Sequence, residues 1–151
     1  VREVFDALSD PRVKMGSFGF ATDHSSLRMK LIAWGADVRS RRFALPYGDQ
    51  ALFVRRRAFE AAGGFPVVPV AEDLHFVLRM RREGRIPVTR SPAITSGRMW
   101  RSAGPVRNSA INAAVLVGCL LGVSPEGLAR IHRLRRPRSA AESRPGQPAQ
   151  R

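Results

Sequence analysis

Two adjacent carboxylates, Glu72 and Asp73, stand where the pattern of the chain opens a helix. A carboxylate on a first helical turn is held rigidly at the positive end of the helix dipole, which favours negative charge there. At hydrogen-bond distance from a hydroxyl, such a group takes up the proton as the oxygen attacks an electrophile. With a sugar as the electrophile, the reaction is glycosyl transfer with inversion. An acidic pair in a first turn is also ordinary helix chemistry, so its neighbours decide what it means.

Gly48-Asp49-Gln50 sets a carboxylate and an amide at the mouth of a short strand. There they can orient sugar or acceptor hydroxyls; plain turn chemistry is the alternative. Gly63-Gly64-Phe65 precedes the acids. Its glycines permit positive φ and close backbone approach, or simply stop a helix. Ser96-Gly97-Arg98-Met99-Trp100-Arg101 follows two short predicted strands. Arg98 can neutralise a leaving diphosphate and Trp100 can stack on a sugar, or the segment is a basic loop anchored by its tryptophan. His24, His75 and His132 are scattered, and His75 diverges from Asp73 on a helix, so no metal ligand is assigned. No Ser-His-Asp pattern and no phosphate-cradling glycine loop occur.

The elements that must position these groups follow from periodicity and punctuation. Val1 to Leu8 reads as a helix stopped by Asp10-Pro11, and Val13 to Ala21 as a strand. Ser25 to Arg39 reads as a helix capped by Ser25 or Asp23. A loop over Phe43 to Tyr47 leads to a strand over Gln50 to Val54, then a short helix over Arg57 to Ala62. Glu72 to Glu83 is a helix with Gly84 as its stop. Ile86 to Thr89 and Ala93 to Thr95 read as two strands, and Asn108 to Leu121 as an apolar helix. Ser124-Pro125-Glu126 caps and starts a last helix, reaching Leu134. The resulting class is α/β. Residues 1–134 form one domain, and 135–151, rich in Arg, Pro, Ser and Gln, form a basic tail expected to be disordered.

The chain has 151 residues, enough for one domain with a core, and a formal net charge of +14. Charge of that size suits nucleic acid, an anionic membrane surface or an anionic substrate such as a nucleotide diphosphate. Lys14 and Lys30 are the only lysines among 26 basic residues, a skew that coding bias also produces. Cys119 is the only cysteine, which excludes an intramolecular disulfide. It reads as a small buried apolar residue, and a reducing cytoplasm is the expected compartment. The apolar run from Ala110 to Val123 falls short of the roughly 20 residues that span a bilayer. Arginines flank it, so 108–123 allows peripheral membrane contact.

As a set, these features resemble the second half of a family-2 glycosyltransferase, in the branch of radical-SAM/selenodomain-associated transferases. The likeness is carried by Leu45-Pro46-Tyr47-Gly48-Asp49-Gln50 through Arg56, by Phe59 with Gly63-Gly64-Phe65-Pro66, and by Glu72-Asp73 with Arg79 and Gly84. Thr95-Ser96 with Arg98 and Trp100, and Leu121 to Pro125, complete it. The resemblance implies a partial nucleotide-diphospho-sugar transferase (GT-A-like) fold, a mixed sheet with flanking helices. It implies Asp73 as catalytic base with Glu72 as companion, and Gly48, Asp49 and Gln50 as part of the acceptor and donor-sugar pocket. Arg98 and Trp100 resemble the end of an arginine-tryptophan motif that meets the diphosphate, with Met99 where that motif carries an arginine.

The family's nucleotide-binding half and its Asp-x-Asp motif are expected before Val1, and no Asp-x-Asp occurs in these residues. A divalent Mg or Mn is the expected cofactor of the whole enzyme, with its main ligands outside this chain. The expected partners are a nucleotide-sugar donor and a hydroxyl acceptor, with little turnover by the chain alone. The competing reading is a basic module for nucleic acid or an anionic membrane surface. Nucleic acid is not the expected partner, because aromatic residues do not interleave with the basic ones.

Overall fold

The computed structural model describes residues 1–23, 26–96 and 104–135. Helix α1 (Arg2–Ser9) leads into strand β1 (Met15–Thr22) and the long helix α2 (Leu27–Phe43). A single tight turn, Gly48–Gln50, then precedes β2 (Leu52–Val54) and α3 (Arg56–Ala61). Helix α4 (Glu72–Glu83) feeds β3 (Val88–Thr95), and α5 (Pro105–Leu120) and α6 (Pro125–Arg133) follow. This is a small α/β domain built on a three-stranded mixed sheet in the order β2-β1-β3. β1 pairs antiparallel with β2 and parallel with β3.

The central strand is buried along most of its length, so its sequence shows small residues where a half-exposed strand would alternate. A Cβ on Gly16 would fall 2.4 Å from the Phe53 ring, so glycine makes room for the β2 aromatic. Met15 and Phe20 have opposite parity and point to opposite faces of β1. Met15 joins Leu45, Leu74, Phe76, Val77, Met80 and Ile86 in the main core, where α4 buries its apolar stripe. Phe20 meets Met29 of α2 in a smaller cluster.

Several sequence expectations change in detail. The two predicted strands merge into β3, which runs through Pro92. Pro92 sits opposite Gly19, beside a register irregularity, on an edge strand where a missing N–H is tolerated. The cap of α2 is Ser26, whose hydroxyl accepts from Met29 N–H at 3.3 Å; Ser25 lies outside the described residues. Gln50 belongs to the turn and not to β2. Gly84 is extended, and it is needed because a Cβ there would lie 2.4 Å from the Arg12 carbonyl oxygen.

Gly63 and Gly64 do adopt positive φ (73° and 67°), ending α3. Phe65 then packs on Phe59 and Phe76, with ring centroids 5.5 and 4.9 Å apart, and fastens α3 to α4. Leu134 follows α6, and Arg135 is held in the domain; residues 136–151 of the expected tail lie outside the described residues. Among the described residues no helix is long and apolar enough to cross a membrane. The exposed apolar side chains of 108–123 gather at its end, at Val117, Leu120, Leu121 and Val123.

Candidate functional site

The site is organised from beneath by Gln50, which has no exposed surface. Its Oε1 accepts from Arg39 Nη2 at 3.0 Å, Ser40 Oγ at 2.8 Å and Tyr47 N–H at 3.2 Å. Its Nε2 donates to the Phe18 carbonyl at 3.2 Å. One side chain therefore ties β1, the end of α2 and the turn together, using most of an amide's hydrogen-bonding capacity. Arg39 adds a second clamp. Its Nε donates to the Leu45 carbonyl at 2.8 Å, and its guanidinium carbon lies 3.4 Å from the centre of the Tyr47 ring. Burial pulls the Arg39 pKa below its usual value and pushes that of Tyr47 up.

On this base rests the contact between the turn and the acids. Gly48 N–H donates to Asp73 Oδ2 at 2.6 Å, and Leu74 N–H donates to Asp73 Oδ1 at 2.7 Å. Each carboxylate oxygen has a second lone pair, so both remain able to accept from a ligand. A cavity of about 380 Å³ opens here, lined by Asp49, Glu72, Asp73, Asn112, His132 and Arg135 among others. Its volume lies in the range of small-molecule sites, about 300–1,000 Å³. Arg135 is set at the cavity by its Nε donating to Asn108 Oδ1 at 2.7 Å.

Asp49 has exposed surface but lies in a concave junction, with protein on several sides of its carboxylate. That burial raises its pKa above the ordinary 3.8; the Arg39 charge opposes the shift and the Asp73 charge adds to it. A titratable group perturbed by desolvation inside a cleft is a functional-site candidate on physical grounds.

Backbone strain also gathers here. Ala44, Ala51 and Ala71 all have positive φ (51°, 47° and 60°). Ala44 enters the loop before the turn, Ala51 leaves the turn, and Ala71 immediately precedes Glu72. Left-handed backbone costs a non-glycine residue about 1–2 kcal/mol. Such strain persists where the surroundings over-determine it, which is common at binding and catalytic sites.

Of the residues singled out in the sequence, Gly48, Asp49, Glu72 and Asp73 come together at one cavity. Glu72 is at the exposed rim. Gln50 lies below the cavity as the knot that shapes the turn, with its amide bonded to protein. Arg98 and Trp100 lie outside the described residues. Sequence reasoning missed Arg39, Tyr47, Asn112 and Arg135. Tyr47 was in view as the neighbour of the turn; the other three carry no local signal.

Cys119 is half-buried, its Sγ 3.9 Å from His75 Nε2, and desolvation raises its thiol pKa. A thiol held protonated is a poor nucleophile, which agrees with a packing role. For the divalent metal that the resemblance implies, the described residues include no grouping of three His, Cys, Asp or Glu side chains able to hold one. The described residues do not fit that metal. No family model, curated protein or solved structure matches the chain.

Proposed function

We propose that this chain carries the acceptor side of an inverting glycosyltransferase of the family-2 type, on part of a GT-A-like fold. Asp73 is the base, Glu72 its companion at the rim, and Asp49 orients a hydroxyl. The observation that carries the reading is the Asp73 carboxylate bonded to the Gly48 turn, 25 residues away in sequence, at the wall of a cavity of about 380 Å³. That contact joins the helix start to a turn distant in sequence and fixes where the carboxylate points, which supports the reading.

In the proposed reaction an acceptor hydroxyl gives its proton to Asp73 while its oxygen bonds to the anomeric carbon. The bond from that carbon to the diphosphate oxygen breaks on the opposite face, and the nucleoside diphosphate leaves with the electron pair. Arg98 and Trp100 are proposed for the diphosphate and the sugar, as the resemblance implies. A reducing cytoplasm is the proposed setting.

The test uses the product of the complete reading frame in which this chain lies, supplied with nucleotide-diphospho-sugars and Mg or Mn. Release of nucleoside diphosphate is measured with and without hydroxyl acceptors. Acceptor-dependent release that Asp73→Asn removes is expected. Release that survives Asp73→Asn unchanged overturns the base assignment.

A further inference from the structure

A second cavity, of about 320 Å³, adjoins the first and shares Tyr47, Asp49 and Asn112 with it. The partition between them is a bond: Tyr47 O–H donates to the Asn112 carbonyl at 3.2 Å. The chemistry on the two sides differs. The first cavity has Glu72, Asp73, His132 and Arg135; the second is walled by Phe20, Leu31, Ile32, Ala36, Ala113 and Leu116.

We propose that this second cavity is a subsite for an uncharged apolar body, alkyl or aryl, carried by the acceptor whose hydroxyl meets Asp73. The identification as acceptor rests on the transferase reading above; the binding chemistry does not. Two observations argue for it. The walls are almost wholly hydrocarbon, so the gain comes from removing apolar ligand surface from water. The charged groups at its edge disfavour an anion. Asp49 is acidic, and Arg39 is already committed to the Leu45 carbonyl, Gln50 Oε1 and the Tyr47 ring. A diphosphate therefore has no cation offered to it among the described residues of this wall.

Continuity with the acidic cavity sets the shape of the ligand: a polar head with hydroxyls on the Asp73 side, and an apolar body across the Tyr47–Asn112 partition. Gly35 supplies the means of testing this. It lies in the middle of α2 and lines the cavity, and a Cβ there meets nothing within 4 Å. A phenylalanine at that position is accommodated by the backbone, improves helix propensity over glycine, and sets a ring at the cavity wall.

The experiment is calorimetric titration of the protein with octyl β-D-glucoside, kept below its micelle-forming concentration, against methyl β-D-glucoside. Two buried methylenes are worth about a factor of ten, so the octyl compound should bind at least about tenfold more tightly. Gly35→Phe should remove that gain. Trp34→Ala, which deletes an exposed aromatic of the same helix that does not line the cavity, should keep it. Equal affinities, a gain that survives Gly35→Phe, or a gain lost in Trp34→Ala would each overturn the subsite. The outcome is separable from the transferase reading, because binding is read without turnover. A gain present in an enzyme indifferent to Asp73→Asn keeps the apolar site and removes its role as acceptor subsite. An absent gain in an enzyme that needs Asp73 removes the subsite alone.

Discussion

The Gly48 amide donates to Asp73 Oδ2 across 2.6 Å, and a Cβ on Gly48 would lie 3.0 Å from that same oxygen. The turn and the helix start therefore meet so closely that a methyl on Gly48 would have to push the carboxylate back by a few tenths of an ångström. The contact sets where the carboxylate points, and it does so from an element that Gln50 and Arg39 hold in place.

Gly48→Ala tests that contact. The added methyl must push Asp73 back by a few tenths of an ångström, while the turn itself keeps a backbone that alanine accepts. Melting temperature should hardly move. On the proposed transferase reading, transfer should fall by up to about 10²-fold, the usual cost of misplacing a reacting group. Asp73→Asn keeps an oxygen to receive the Gly48 amide but cannot take a proton. It should lower kcat by about 10²–10⁴-fold with donor KM unchanged. Steady-state kinetics on both variants would separate positioning from proton transfer.

Gln50→Leu should be among the most destabilising single changes in the chain. It leaves Arg39, Ser40, the Tyr47 amide and the Phe18 carbonyl without their shared partner. Unsatisfied buried groups cost about 1–3 kcal/mol each, so a loss of about 3 kcal/mol or more is expected in urea unfolding. Ser40→Ala removes the hydroxyl that lies between the Ala36 carbonyl and Gln50 Oε1 and should cost about 1 kcal/mol.

Asp49→Asn should raise stability at neutral pH. The Asp49 pKa is higher folded than unfolded, chiefly through burial, so its ionised form disfavours the folded state. The sign follows from linkage. Above the folded pKa the charge costs stability; as pH falls toward the ordinary 3.8, both states protonate and the cost disappears. Thermal melts of the two proteins should therefore separate near pH 7 and converge below about pH 4. A variant less stable than the parent at pH 7 would contradict this.

Ala71→Gly relieves a left-handed alanine at the entrance to α4. Removing that strain is worth up to about 1–2 kcal/mol, partly offset by the greater freedom of glycine when unfolded. Net stability should rise or hold. Turnover by the complete protein should drop, because Glu72 and Asp73 lose a stiff hinge. Melting and kinetics measured together would show the two moving in opposite directions.

Much of the local structure could be read directly. The apolar period and the glycine stop marked α4 as Glu72–Glu83, and Ser124-Pro125 marked the start of α6. The two short strands expected over 86–89 and 93–95 are one, because an edge strand with a register irregularity absorbs Pro92. Gly84 was rightly marked as a stop, but for another reason. The left-handed backbone expected of a helix stop is absent there, and the Arg12 carbonyl takes the space a side chain would need.

By itself the chain's order of residues determined where α4 begins and ends and where α6 begins, that one cysteine excludes an intramolecular disulfide, and that Glu72 and Asp73 open a helix. These are properties of neighbours along the backbone. Packing alone decided that Gln50 is a buried knot, that Arg39 stacks on Tyr47, that Asn112 and Arg135 line the cavity, and that Asp49 stands between two cavities. Each of these depends on residues far apart in sequence being brought within a few ångströms. Strand parity and helix packing set those distances, and no short window of sequence contains them.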